Sequence, residues 1–302
     1  MKHLLKLLDL TSEEIIDILN LADQLKYEQK HGISHRLLEG KTLGCIFQKS
    51  STRTRVSFEV GMYQLGGYPL FLSSNDLQIG RGEPVEDTAR VLSRYLDGIM
   101  IRTFEQEEVE TLARVGSIPV INGLTDFCHP CQVLADLMTI REFKGGFDGL
   151  KMSFIGDGNN MMNSLIVGGL KAGMEVSVAC PEGYEPDKSV LEFAKDYECF
   201  SMHRKPADAV KDADVVITDV WTSMGQEEET ERRKVAFAGY CVSSELMAEA
   251  KPDAMVLHCL PAHREEEITA EVFEQHAKEI FEEAENRLHA QKAVLVKLMG
   301  GR

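Results

Sequence analysis

The chain has 302 residues, 43% hydrophobic and 27% charged, with a formal net charge of −16. The length suits two domains of ordinary size with separate cores, and the charge speaks against nucleic acid or an anionic membrane as a partner. Seven cysteines at irregular spacing predict reduced thiols and a cytoplasmic setting. The opening run from Met1 to Leu10, broken by Lys6 and Asp9, lacks the apolar core of a secretory signal, and no later run is long enough to span a membrane.

Thr11-Ser12-Glu13-Glu14 reads as a capping box that opens a helix. Apolar strand-like runs follow at 42–47, 68–72, 98–102 and 118–122, then at 151–156, 175–180, 214–219 and 254–260. Helical periodicity fills most of the gaps, as in Val85 to Tyr95 after Pro84 and Gln132 to Phe143 after Pro130. This alternation predicts an α/β protein of two doubly wound parallel-sheet domains. The run from Lys144 to Gly149 divides them, giving domains at 1–144 and 145–280. The last helical stretch, Ile280 to Met299, places Leu288, Leu295 and Leu298 on one face, so 281–302 is expected to pack back on the first domain. The charged run from Gln226 to Lys234 reads as a solvated face or mobile loop.

Five segments carry chemistry, four of them at strand ends. Ser51-Thr52-Arg53-Thr54-Arg55 lies between a strand and a helix start. Helix N-termini favour anions, hydroxyls add donors, and a guanidinium fork suits phosphate oxygens. The alternative is an ordinary N-cap followed by surface arginines. In Phe127-Cys128-His129-Pro130-Cys131-Gln132, proline fits the first helical position, which brings His129 and Gln132 toward one small polar ligand. A redox pair in Cys128-x-x-Cys131 and a plain capping role for His129 stay open. Gly156-Asp157-Gly158 follows a buried strand, but Met161 stands where a dinucleotide fingerprint needs its third glycine. Asn159 and Asn160 there suit a polar or zwitterionic ligand. Asp219-Val220-Trp221-Thr222-Ser223-Met224-Gly225 and His258-Cys259-Leu260-Pro261-Ala262-His263 end two further strands. Neighbouring His258 and Cys259 would point to opposite strand faces, which argues against a shared metal ion.

Taken in order, these motifs resemble the aspartate/ornithine carbamoyltransferases. Ser51-Thr52-Arg53-Thr54, Arg102 and His129-Pro130-Cys131-Gln132 are similar to the family's carbamoyl phosphate site. Asp219 with Ser223-Met224-Gly225, and His258-Cys259-Leu260-Pro261, are similar to the acceptor half of its ornithine branch. Two departures are Gln48 and Ser50, where many relatives have Glu and Pro, and Glu265, where Gly is common.

The resemblance implies two α/β domains with the active site in the cleft between them, assembled as a homotrimer with interfacial sites. It implies transfer of a carbamoyl group from carbamoyl phosphate to the δ-amine of L-ornithine, without metal or other cofactor. Ser51, Thr52, Arg53 and Thr54 are expected to hold phosphate, and Arg102 and His129 to bind the carbamoyl oxygen. Gln132 and the Leu260 carbonyl would accept from the carbamoyl amide, with Pro130, Cys131, Cys259 and Arg287 completing the site. Gln78 would reach into a neighbouring subunit. Asn160, Ser223 and Met224 would hold the α-groups of ornithine, and Asp219 and Cys259 would orient its δ-amine. Arg102, His129, Asp219 and Cys259 are thus the expected catalytic set. Another amine as acceptor, such as putrescine or acetylornithine, or a non-catalytic binding role, are the alternatives.

Overall fold

Strands that are apolar on both faces must be covered twice, and such strands pair in parallel. The computed structural model describes residues 1–222 and 227–300. Its chain divides into two compact units, Met1–Ala135 with Asn286–Arg302, and Asp136–Glu285.

In the first unit, β1 (Thr42–Phe47), β2 (Tyr68–Ser73), β3 (Gly98–Arg102) and β4 (Val120–Leu124) form one parallel sheet in the order β2-β1-β3-β4. Phe47 stands opposite Ser73 on one side and Arg102 on the other. The order reverses between β1 and β3, so their carboxyl ends flank the switch point where ligands of open α/β sheets bind. A bulge shifts the β3–β4 register between Ile101 and Arg102, with Gly123 as the extra residue. A Cβ at Gly123 would lie 2.6 Å from the Met100 sulfur. Bulges re-aim side chains next to them, here Arg102.

The covering helices are α1 (Ser12–Lys30), α2 (Thr52–Gln64), α3 (Val85–Leu92) and α4 (Gln106–Val115). The capping box opens α1 as expected: Thr11 Oγ1 accepts the Glu14 N–H at 3.2 Å, and the Glu14 carboxylate accepts the Thr11 N–H at 3.1 Å. Ile46, Ile99, Ile101, Leu112 and Val120 share one buried core. Leu4 pairs with Ile121, which covers the β4 edge. The next helix, α5 (Pro130–Lys144), starts in this unit and carries the chain into the second.

The second unit runs β5 (Lys151–Ile155), α6 (Asn160–Lys171), β6 (Glu175–Ala179), α7 (Lys188–Ala194), β7 (Phe200–His203), α8 (Pro206–Val210), β8 (Val215–Thr218), α9 (Thr230–Ala236), α10 (Ser244–Met247), β9 (Met255–His258) and α11 (Ala270–Gln275). Its parallel sheet has the order β7-β6-β5-β8-β9, reversing between β5 and β8. The hydrophobic pattern does not reveal β7. Phe200, Ser201 and His203 are only half-buried, at the sheet edge, so no apolar run marks them. The final helix, α12 (Ala277–Met299), starts three residues before its periodic face and returns the chain to the first unit. Among the described residues no helix is long and apolar enough to cross a membrane.

Candidate active site

Ser51 takes the extended N-cap conformation before α2, and its Oγ accepts the Thr54 N–H at 3.2 Å. One first-turn amide is thereby capped, and the positive end of the helix dipole still favours an anion. Thr54 is buried, Ser51 and Arg53 are half-buried, and Thr52 is exposed. Thr54 Oγ1 accepts from Arg287 Nη2 at 3.1 Å, and Arg287 Nη1 donates to Gln132 Oε1 at 2.6 Å. Helices α2, α5 and α12 therefore each send one buried side chain to the same point.

His129 immediately precedes α5, and its carbonyl accepts the N–H groups of Gln132 and Val133. Pro130 follows as the first helical residue, where a missing N–H leaves no bond unmade. Burial, then the guanidiniums of Arg287, Arg102 and Arg53, hold the His129 pKa well below the ordinary histidine value. The ring is a neutral imidazole beside a local cationic patch. In a chain of net charge −16, that patch is the opposite of the general field.

Cys128 and Cys131 are free thiols. The Cys128 Sγ donates to the Leu5 carbonyl and the Cys131 Sγ to the Asn122 carbonyl, each at 3.4 Å. Burial pushes both thiols up to about 12. Neither is the thiolate that redox exchange needs, so the redox alternative loses its nucleophile. Gln78 does not join the buried cluster; it is exposed in the short 3-10 turn Gln78–Arg81.

In the second unit, the turns after β5 and β8 flank the switch point. Gly156 has φ +146°, a conformation for glycine, and a Cβ at Gly158 would lie 2.3–2.4 Å from the backbone of Tyr184, Glu185 and Pro186. Gly156 thus answers to its backbone conformation and Gly158 to close packing against the chain at 184–186, so each glycine has a structural reason of its own. Asn159 caps α6, its Oδ1 accepting from Met161 and Met162 N–H at 2.9 and 3.2 Å. Its Nδ2 donates to Asp219 Oδ2 at 2.9 Å. The other carboxylate oxygen accepts from the Val220 N–H at 2.8 Å and from the Cys259 Sγ at 3.0 Å. Burial, then the Asp219 charge, raises the Cys259 pKa well above the ordinary thiol value, so it stays a donor. Asp219 and Cys259 are thus brought together. Asn160 is the half-buried first residue of α6, and Ser223 and Met224 lie outside the described residues.

His258 is buried at the end of β9. Its Nδ1 accepts the Leu260 N–H at 2.9 Å, which puts the ring hydrogen on Nε2, 3.0 Å from Glu267. This turn holds Leu260 at φ +57°. The expectation that His258 and Cys259 diverge is corrected here, because β9 ends at His258 and strand alternation stops there. Donor atoms of Asp219, His258 and Cys259 fall within 4.8 Å of one another, yet both imidazole nitrogens of His258 are engaged.

In the run from Gln226 to Lys234, whose first residue lies outside the described ones, Glu228, Glu229, Glu231, Arg232 and Lys234 are exposed as a solvated face would be, and Arg233 is the exception. Arg233 is buried, with Nη1 donating to Asp157 at 2.8 Å and to the Trp221 carbonyl at 3.0 Å. Its Nε donates to Glu229 at 3.1 Å. Burial pushes the Asp157 carboxyl up to about 6 despite that arginine. The partners are 76 residues apart, so no local pattern signals the pair. Asn159, by contrast, was visible as an amide in the turn, but its bond to Asp219 was not.

Residues 2–142 match the family model described as aspartate/ornithine carbamoyltransferase, carbamoyl-P binding domain, and residues 148–298 match its Asp/Orn binding domain. The chain is 57% identical over 300 residues to an ornithine carbamoyltransferase of Geobacter metallireducens, covering 99% of each. Among solved structures, the ornithine carbamoyltransferase of Pyrococcus furiosus superposes with a TM-score of 0.95 at 55% identity, covering 100% of this chain and 98% of that one. The anabolic ornithine carbamoyltransferase of Campylobacter jejuni gives 0.94 at 46% identity, with 99% of each covered.

Proposed function

The chain belongs to the aspartate/ornithine carbamoyltransferase family, and from that premise we propose that it carbamoylates the δ-amine of L-ornithine with carbamoyl phosphate, giving L-citrulline and phosphate. It works in the biosynthetic direction, like its relatives named anabolic. The observation that carries this reading is the buried junction of Thr54, Gln132 and Arg287 beside a neutral His129 on which three guanidiniums act.

Ser51, Thr52, Arg53 and Thr54 hold the phosphate with hydroxyls, a guanidinium and the amides of the α2 N-terminus. Arg102 and His129 receive the carbamoyl oxygen. Gln132 and the Leu260 carbonyl accept from the carbamoyl amide, and Arg287, Pro130, Cys131 and Cys259 complete the binding set. Asn160, Ser223 and Met224 hold the α-amino and α-carboxylate groups of ornithine.

Asp219 and Cys259 orient the δ-amine for attack on the carbamoyl carbon. The tetrahedral oxyanion so formed is stabilised by Arg102 and His129, donors fixed before reaction. It collapses by breaking the bond to the phosphate oxygen, and the amine proton leaves to solvent or phosphate. A neutral imidazole donates to the oxyanion without adding a charge that phosphate release would have to overcome. The protein acts as a cytoplasmic homotrimer in which Gln78 completes a neighbour's site.

The test is a product balance. Carbamoyl phosphate with ornithine should give citrulline and phosphate in equal amounts. Phosphate release without citrulline, at the rate of spontaneous breakdown, would overturn the proposal.

A further inference from the structure

We propose that Gln291 is a positioning residue that fixes the Arg287 guanidinium for carbamoyl phosphate; this rests on the reading of Arg287 given above. On α12, Arg287, Gln291 and Leu295 fall on one face by their spacing of four and eight residues, and Leu288 and Lys292, four apart, lie along its flank. That face meets α2 where Gly61 offers no side chain, and a Cβ there would lie 3.3 Å from Lys292 Cγ and 3.6 Å from Leu288 Cδ1. Three polar contacts then join the helices: Arg287 to Thr54, Gln291 to Ser57, and Lys292 to Gln64.

Gln291 is fully buried between the other two. With its amide oxygen facing Arg287, it accepts from Nε at 3.1 Å and from Nη2 at 3.0 Å, while its nitrogen donates to Ser57 Oγ at 2.5 Å. The reverse orientation would set amide hydrogens against guanidinium hydrogens, donor against donor. Ser57 Oγ donates in turn to the Arg53 carbonyl at 2.7 Å. A continuous chain therefore runs from the first turn of α2 through Ser57 and Gln291 to the inner edge of Arg287. Holding that edge sends Nη1 to Gln132 and Nη2 to Thr54, the two partners expected at the substrate. A neutral amide does this without cancelling the charge that a phosphate dianion needs, as a carboxylate at 291 would.

The experiment is steady-state kinetics on Gln291→Met, which fills the space and removes all three hydrogen bonds of the amide. Loss of such a bond near a charge is expected to raise KM for carbamoyl phosphate and the inhibition constant of inorganic phosphate roughly tenfold. KM for ornithine should stay within about twofold. In an Arg287→Ala background the same change should add nothing, because Gln291 acts only through Arg287. Ser57→Ala, which removes the outer partner of the amide, should give a smaller rise that is not additive with Gln291→Met. Unchanged constants in Gln291→Met, or the same rise with Arg287 absent, would overturn the inference alone. An Arg287→Ala enzyme with the parent KM would overturn the site reading and this inference with it.

Discussion

Arg53 is half-buried in the first turn of α2, with its backbone carbonyl tied to Ser57 and its charge acting on His129. Arg53→Ala is expected to raise KM for carbamoyl phosphate by about 10² while leaving the urea midpoint unchanged, since truncating a half-buried side chain opens no core. Kinetics and unfolding measured on the same preparation check this, and an unchanged KM would remove phosphate binding from the role of Arg53. His129 makes a pH prediction with a definite sign. Its native pKa is depressed, so below about pH 6.5 the unfolded chain takes up a proton that the native ring refuses. Stability from this group is therefore lost as pH falls through 6.5. Between pH 6.5 and 5.5 the parent should lose about 1 kcal/mol more unfolding free energy than His129→Asn. Equal losses by urea titration would mean that the native ring also protonates. At this scale the sequence was informative wherever a motif is contiguous, as in Ser51 to Thr54 or His129 to Gln132. It was silent on Arg233 and Gln291, whose roles depend on partners far away in the chain.

Elements place these residues through two reversals of strand order, between β1 and β3 and between β5 and β8. Alternating apolar and helical runs were enough to infer both parallel sheets. They missed β7, because an edge strand of half-buried, mixed residues carries no hydrophobic signature. They also led to one wrong inference about side chains, since His258 and Cys259 straddle the end of β9 and not its interior. The turn after β5 depends on one glycine more than on any capping residue. A Cβ at Gly158 would meet backbone atoms at 2.3–2.4 Å, and backbone cannot rotate aside as a side chain can. Gly158→Ala is expected to destabilise the protein by about 2 kcal/mol or more and to raise KM for ornithine, because Asn159 and Asn160 follow directly. Chemical denaturation and ornithine kinetics would show it, and a variant of parent stability and KM would contradict the packing account.

The whole molecule divides its chemistry between two units. The unit of Met1–Ala135 and Asn286–Arg302 concentrates cationic and neutral donors, which suit a phosphate and a developing oxyanion. The unit of Asp136–Glu285 offers a carboxylate held between an amide and a thiol, which suits an amine. The net charge of −16 makes the first concentration the more telling, because only a local arrangement attracts an anion to such a chain. An ammonium of pKa about 10.4 must lose its proton before it attacks, so the acceptor site has to favour a particular amine and not merely a positive charge. The central claim is that the second unit selects ornithine, and one measurement addresses it most directly. Ureido-product formation from carbamoyl phosphate would be followed with ornithine, putrescine, acetylornithine and aspartate in parallel. The expected result is kcat/KM for ornithine at least about 10²-fold above each of the others, as befits a site that pairs polar groups with both ends of its substrate. Comparable or better turnover of any other acceptor would contradict the assignment of Asp219, Cys259 and Asn160 to ornithine.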